Sequence, residues 1–398
     1  MPTNLPAEAR AKWVKYLEAR TPEEKLKALE EYLSAIPKHK GTENLRSWVR
    51  RKIAELREEI EERKARRAGT GAPSFFIEKE GAAQVVMLGL PNSGKSALLS
   101  ALTNARPDVS EVPFTTKFPV PGMLKFEDIQ FQLVEAPAIV EGASRGEIWW
   151  GSRVLGLARN ADAIMLVVDL SNKPLKQLKV LCRELSEAGI YIIKPRGRVK
   201  IERTKAAHGI KVISYGRLEG CTADDVRKLL ESYKIYNAIV KIYGHVTLDD
   251  VEKAIYERVT FKPSLIVLTK KDLVAHHYAE KVEALIRKAL PDVPTAITSA
   301  IKGEGLSAIP RIIFNITGII RIYTKEPNSS KPSSEPMILK AGATVEDAVK
   351  RIREEFLRYF KYARIWGPSA NYPGERVGLD HVLKDGDVIE IRTKIKGI

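Results

Sequence analysis

Apolar and polar positions change period several times along the chain, and each change predicts a different element. Between residues 21 and 36, Leu26, Leu29 and Leu33 recur at helical spacing. They follow Thr21-Pro22-Glu23-Glu24, a helix start with a hydroxyl cap, Pro in the first turn and carboxylates near the positive end of the dipole. A Pro-Lys-His-Lys-Gly break at 37–41 ends that element. From about Thr42 a second stripe, Leu45, Val49, Ile53, Leu56 and Ile60, predicts a longer helix. The two read as a helical hairpin packed on the domain that follows. The charged run 58–67 reads as a solvated helix end rather than an RNA contact.

Beyond residue 80 the pattern becomes segments of strand length, mainly apolar at 83–88, 163–169 and 264–268, with a further strand near 129–135. Helical patterns at 96–102 and 175–188 stand between them, as in a mostly parallel sheet. The strands 163–169 and 264–268 are neighbours in a nucleotide fold, yet roughly a hundred residues separate them where a strand-helix-strand unit needs about 30. An insertion near 191–256 accounts for the excess. Residues 326–336, rich in Pro and Ser, read as a linker. A short α+β module follows. Its strands are Met337–Leu339, Tyr362–Trp366 and Asp387–Ile391, its helix runs from Thr344 to about Phe360, and Asp385-Gly386 is a turn.

Composition narrows the class. The chain has 398 residues, 44% hydrophobic and 29% charged, enough for several ordinary cores. No apolar stretch approaches the ~20 residues of a membrane span, and Met1–Leu5 lacks the pattern of a signal peptide. Two cysteines, Cys182 and Cys221, exclude a disulfide scaffold, and six histidines show no zinc-ligand spacing. The expected location is cytoplasmic, with no membrane partner. The net charge of +16 favours a polyanionic partner or reflects solubility alone.

The candidate chemistry begins at Gly89-Leu90-Pro91-Asn92-Ser93-Gly94-Lys95-Ser96, an unbroken G-x-x-x-x-G-K-[ST] pattern between a strand and a helix. Such a loop aims backbone N–H groups at phosphate oxygens, aided by the helix N-terminus. Lys95 would reach the β- and γ-phosphates, the Ser96 hydroxyl would ligate Mg²⁺, and Ala97 continues the helix behind them. Thr269-Lys270-Lys271-Asp272 ends a strand at the carboxyl edge of the sheet, where ligands of α/β folds sit. The Asp272 carboxylate can accept two N–H bonds from guanine, which adenine cannot offer, and the stem of Lys270 can cover the base. Ser299, Ala300 and Ile301 follow another strand, and their N–H groups could reach the guanine oxygen. An ATPase is the rival that this edge argues against.

With these residues in order, the chain resembles the developmentally regulated GTP-binding protein family within the Obg-type GTPases. The resemblance spans nearly the whole length. It includes Lys40-Gly41-Thr42-Glu43, the phosphate loop, Phe114-Thr115-Thr116, Glu141-Gly142-Ala143 and 233–238, then 360–367 and 377–383 in a C-terminal TGS domain. It implies an α/β fold: a P-loop GTPase domain (81–190 and 257–325) with an N-terminal helical hairpin (1–80), an inserted basic α+β domain (191–256) and, after the linker, a β-grasp-like TGS domain (337–398). It further implies a cytoplasmic GTPase connected with ribosomes and translation, and a small family-specific regulatory protein as partner. Thr116, slightly favoured over Thr115, would complete the Mg²⁺ shell in the first switch. Asn92 corresponds to a K⁺ ligand in related GTPases, or serves only as a turn residue.

The second switch departs from that family. Glu135-Ala136-Pro137-Ala138 replaces the usual Asp-x-Pro-Gly. Glu135 is one methylene longer for its metal role, and Ala138 adopts positive φ less readily than Gly. Ile139 leaves no Gln there to orient water. The expectation is a slow GTPase, with a non-hydrolysing nucleotide sensor as the alternative. In the next segment, Trp149 and Trp150 cannot both face one side, so one reads as core and the other as a contact. In the insertion, residues 194–217 carry eight Lys or Arg and one acid. Val199–Ile201 and Lys211–Ile213 read as a paired basic hairpin with Tyr191 and Tyr215 nearby. It forms either an RNA clamp through Lys194, Arg196, Arg198, Lys200, Arg203 and Lys205 or a solvated loop.

Overall fold

The computed structural model describes residues 6–19, 21–37, 42, 45–46, 48–50, 52–54, 56–57, 60, 75, 77–106, 118–145, 148, 150–194, 197–203, 209–233, 235–256, 260–327, 329 and 331–393. The N-terminal part holds α1 (Ala7–Glu18), α2 (Pro22–Ala35) and α3, helical at the described positions from 45 to 60. Thr21 caps α2 as its sequence requires, accepting from Glu24 N while the Glu24 carboxylate accepts from Thr21 N.

The nucleotide-type sheet contains β1 (Gln84–Leu88), β2 (Val120–Phe126), β3 (Ile129–Glu135), β4 (Ala163–Asp169), and later β10 and β11. The helices α4 (Lys95–Leu102), α5 (Gly151–Asn160) and α6 (Pro174–Glu187) accompany its first half. The inserted part adds β5 (Ile190–Tyr191), β6 (Gly197–Arg203), β7 (Ile210–Leu218), α7 (Ala223–Ser232), β8 (Ala238–Val246), α8 (Leu248–Tyr256) and β9 (Thr260–Phe261). The chain then returns with β10 (Ser264–Thr269), α9 (His276–Ala289), β11 (Thr295–Ile297) and α10 (Ile309–Thr317). Strand order is β11-β10-β4-β1-β3-β2, parallel except for the β2–β3 hairpin. The predicted strands are all present. The mainly apolar sequences of β1, β4 and β10 follow from burial on both faces. Val86 and Leu88 of β1 pack with α5, α6 and α9, whereas Val85 and Met87 pack with α4 and α10. The order reverses at β1, so the loop after it opens at the carboxyl edge where a ligand fits.

The inserted sheet differs from the hairpin expected. Its order is β6-β8-β7: β8 lies between the two basic strands, antiparallel to β6 and parallel to β7. The cause is the alternation of β8, whose Ala238, Val240, Ile242 and Val246 are all buried and suit the central position. That inner face shares one core with the N-terminal helices. Trp13, Leu29, Tyr32, Trp48, Val49 and Ile53 join Val226, Leu230 and Val240. Trp13 packs against Tyr32 and Trp48 with ring centroids 5.3 and 5.7 Å apart. The predicted stripe Leu45, Val49, Ile53, Leu56, Ile60 is buried, but α1 to α3 pack on the insertion rather than on the nucleotide-type sheet.

The last sheet begins before the expected boundary. β12 (Ile319–Thr324) pairs with β13 (Met337–Lys340) and with β16 (Asp387–Thr393), in the order β13-β12-β16-β14-β15. The Pro/Ser segment 326–336 is therefore the connection between two paired strands. The helix predicted from 344 to 360 divides into α11 (Val345–Ile352) and α12 (Phe356–Tyr359), because the backbone extends at Arg353. β14 (Phe360–Trp366) and β15 (Glu375–Val377) complete this sheet. Arg321 on β12 joins it to the β2–β3 turn. Its guanidinium meets Asp385 at 2.8 Å and Asp128 at 2.9 Å, and also bonds Glu127. Tyr323 adds a hydrogen bond to Asp128.

Candidate functional site

The loop between β1 and α4 depends on two left-handed backbone positions, Asn92 (φ 59°) and Gly94 (φ 85°). The second opens α4. Gly89 meets a different demand, since a Cβ there would lie 2.4 Å from Ser93 Oγ and 2.6 Å from Val167 O. Pro91 lies on the turn and Ala97 in the first turn of α4, both half-buried. Lys95 folds back over the loop and donates to Leu90 O at 3.0 Å and Gly89 O at 3.2 Å. Burial lowers its pKa to about 8, opposed by the Glu135 carboxylate. Neutral carbonyls solvate an ammonium less well than anionic oxygens do, so phosphate is favoured here.

Glu135 ends β3, fully buried, and its Oε1 accepts from Ser96 Oγ at 2.6 Å. The two residues expected to share a metal ion are thus in contact. Ala138 does not carry positive φ, so the expected strain is absent in this conformation. Its carbonyl accepts from Trp150 Nε1 at 3.1 Å, and Ile139 N donates to Gly89 O at 3.1 Å. Trp150 thus fixes the Ala138 carbonyl, and the Ile139 N–H ties the same peptide to the phosphate loop. The segment beyond is fixed by buried Glu184 of α6, which accepts from Gly142 N at 2.9 Å and Ser144 N at 2.7 Å. Thr115, Thr116 and Trp149 lie outside the described residues.

The carboxyl edge of β10 and β11 gathers the base-side residues. Thr269 Oγ1 donates to Ser93 O at 2.7 Å, tying this edge to the phosphate loop. Ser299 Oγ donates to Asp272 Oδ1 at 2.5 Å and orients that carboxylate. Lys302 N in turn donates to Ser299 Oγ at 3.2 Å, and Ser299 N to Glu304 O at 3.0 Å, closing a tight turn. Ala300 and Ile301 sit on that turn, Ile301 exposed. Lys270 takes φ 58° and its ammonium meets Asp169 Oδ2 at 2.7 Å, which pins the far end of its stem. Sequence reasoning passed over Asp169, Trp150's bond and Glu184. Asp169 was the most legible, since it ends an apolar strand at the same edge as Asp272.

The basic residues of the insertion divide. Arg198 and Lys200 stand on one face of β6, while Arg203 belongs to the opposite face, near Tyr16. Lys194 is exposed just before β6. Arg196 and Lys205 lie outside the described residues. Among the described residues there is no group of three or more His, Cys, Asp or Glu placed to hold a metal, and no helix long and apolar enough to cross a membrane.

A phosphate loop, its lysine and a serine-oriented carboxylate on one sheet edge define a P-loop GTP-binding protein. Comparison with known proteins agrees. Residues 84–195 match a family described as 50S ribosome-binding GTPase, 207–319 the C-terminal region of the MMR_HSR1 domain, and 320–393 the TGS domain. A GTP-binding protein of Methanocaldococcus jannaschii is 37% identical, covering 94% of this chain and 93% of its own. One from Halobacterium salinarum is 33% identical, covering 93% and 98%. Human developmentally-regulated GTP-binding protein 2 is 30% identical, covering 93% and 99%. The chain belongs to the developmentally regulated GTP-binding protein family.

Proposed function

We propose that the protein is a slow, guanine-nucleotide-operated switch that acts on the ribosome in the cytoplasm and hydrolyses GTP to GDP and phosphate. The observation that carries this reading is the buried Lys95 held over the phosphate loop, with Asp272 oriented by Ser299 on the same sheet edge. In the reaction, water attacks the γ-phosphate. Lys95 exchanges its carbonyl partners for phosphate oxygens, and backbone N–H groups of Ser93 to Ala97 stabilise the charge of the transferring group. Asp272 accepts from the guanine edge, the pinned stem of Lys270 flanks the ring, and the N–H groups of Ala300 and Ile301 face the guanine oxygen.

The hydroxyl of Ser96 and the carboxylate of Glu135 are hard oxygen donors in contact, a set that suits Mg²⁺. They would hold the ion with Thr116, and the ion would supply charge neutralisation between the β- and γ-phosphates. K⁺ near Asn92 would add charge on the same side. Domain boundaries near 80, 190 and 257, with the last domain opening at β12 rather than after 325, and a small regulatory protein partner belong to this same reading.

A second reading, a sensor that binds but does not hydrolyse, is favoured by one feature. The 138–139 peptide is fixed at both ends, its carbonyl accepting from Trp150 Nε1 and its N–H donating to Gly89 O, which restrains the adjoining peptide whose Ala138 N–H would turn towards a γ-phosphate, and Ala tolerates the turned conformation less well than Gly. Single-turnover GTP hydrolysis in K⁺ and in Na⁺ separates the two. Turnover above the solvent rate supports the switch, and bound GTP that persists unhydrolysed in both salts supports the sensor.

A further inference from the structure

The three-stranded sheet of the insertion buries one face and leaves the other open. On β8 the outward residues are Ile239, Lys241, Tyr243 and His245. The register aligns them in rows across β6, β8 and β7: Lys200 with Lys241 and Ile213, then Arg198 with Tyr243 and Tyr215. In the second row the two tyrosine rings stack, their centroids 5.1 Å apart and their planes 13° from parallel. Tyr215 is 63% exposed and Tyr243 40%. Single exposed tyrosines are ordinary, but a stacked, exposed pair is a flat aromatic surface. One face of Tyr215 meets Tyr243. Among the described residues β7 is the edge strand, and none pairs beyond Tyr215 in this sheet.

Charge surrounds this pair. Arg198, Lys200, Lys211 and Arg217 are exposed on the same face, with Lys241 among them. Among the described residues this face carries two acids, both occupied: Glu202 meets Lys200 at 2.6 Å and Lys241 at 3.1 Å, and Glu219, just past β7, meets His245 at 2.7 Å. Next to the tyrosines each strand carries a glycine in register, Gly197, Gly244 and Gly216. A Cβ on Gly216 would lie 2.0 Å from Gly244 O, so the strands approach there in a way only glycine permits. The aromatic pair thus sits beside a fixed irregularity of the sheet, on a rigid element.

A basic surface suits any polyanion, but an open aromatic face suits one with exposed flat rings. A duplex hides its base faces, and an acidic peptide has none. Single-stranded nucleic acid has both features. The choice of RNA rests on the ribosomal reading proposed above. We propose that the open face of β6, β8 and β7 is a platform for single-stranded RNA. An unpaired base stacks on Tyr215 and extends the Tyr243–Tyr215 pair, and Arg198 and Arg217 take the flanking phosphates.

The test uses the full chain loaded with GDP and fluorescence anisotropy with labelled A12 RNA. The competitors are dA12, a 12-base-pair RNA duplex and poly-glutamate. Tyr215→Ala is expected to weaken A12 binding roughly tenfold to a hundredfold with its salt dependence unchanged. Tyr215→Trp is expected to retain it. Arg198→Ala and Arg217→Ala are expected to weaken binding and each lower the salt slope by about one. GDP affinity is expected to stay constant in all variants, which excludes misfolding. Unaltered A12 affinity in Tyr215→Ala overturns the platform while leaving RNA binding intact. No A12 binding by the parent protein removes the ribosomal RNA reading itself. Tighter binding of dA12, the duplex or poly-glutamate than of A12 overturns the choice of ligand.

Discussion

Binding of GDP should draw a proton onto Lys95 at mildly alkaline pH, and the structure sets the size of the effect. Burial brings this lysine to about 8 before nucleotide arrives, whereas anionic phosphate oxygens favour its charged form and raise it. At pH 8.5 a group with that pKa is about three-quarters deprotonated, so binding should take up about 0.7 proton. From pH 7 to pH 8.8 the affinity should fall roughly sevenfold by linkage. That range stays below the loss of guanine's own ring proton. Calorimetry in two buffers of different ionisation enthalpy counts the protons directly. Lys95→Met should bind GDP weakly, with the pH slope removed. The free protein carries the complementary effect. The unfolded chain holds more protons between pH 8 and the ordinary lysine value of 10.5, so stability from this group rises with pH across that window. Below pH 8 the whole cost is present, about 3 kcal/mol, and Lys95→Met should stabilise the nucleotide-free protein by up to that amount. A heat of binding independent of buffer at pH 8.5 would refute the reasoning.

Three further outcomes follow from named contacts. Asp272→Asn exchanges an acceptor for a donor, so GDP affinity should fall by about 3 kcal/mol or more, while xanthosine diphosphate, with a carbonyl in place of the amino group, should gain. Competition against labelled GDP measures both. Arg321→Ala leaves Glu127, Asp128 and Asp385 facing one another and should cost about 3 kcal/mol by thermal or denaturant unfolding. Burial raises the Asp128 and Asp385 pKa values, but hydrogen bonds from Tyr323 to Asp128 and from Arg321 to both outweigh it and leave both carboxyls below their usual range. The stability they add is therefore present above pH 4 and is lost as pH falls below it, which limited proteolysis between the two sheets would detect. Trp150→Phe removes one bond to the Ala138 carbonyl, a loss of about 1 kcal/mol. In the parent protein, Trp150 emission should change between the GDP and GTP-analogue states.

The sequence made the nucleotide-type sheet legible because its signals are local. Runs such as Ala163–Val168 are apolar throughout, as a strand buried on both faces requires. The phosphate loop is contiguous, and Asp272 lies just past a strand that could be counted. What failed to show was long-range pairing. Val199–Ile201 and Lys211–Ile213 each alternate as strands, but nothing local tells that Ala238–Val246 passes between them. Ile319–Thr324 looks like the end of the nucleotide domain because Ile319 still packs there, although its hydrogen bonds go to β13 and β16. The stripe Leu45, Val49 and Ile53 announced a buried helix face without announcing which sheet it covers. Glu135 was legible as a candidate partner of Ser96, and the two are in contact. The bond from Trp150 that steadies Ala138 depends on the fold of the intervening loop and could not be read.

The central claim is that backbone amides and Lys95 grip a diphosphate while Asp272 reads guanine. Titration calorimetry of magnesium-loaded protein with GDP and, separately, ADP tests it most directly. The account predicts saturable one-to-one binding of GDP and at least a hundredfold weaker binding of ADP, since a half-buried carboxylate covered by a base and left without its donors loses about 3 kcal/mol. Equal affinity for the two, or no uptake of GDP, would contradict it.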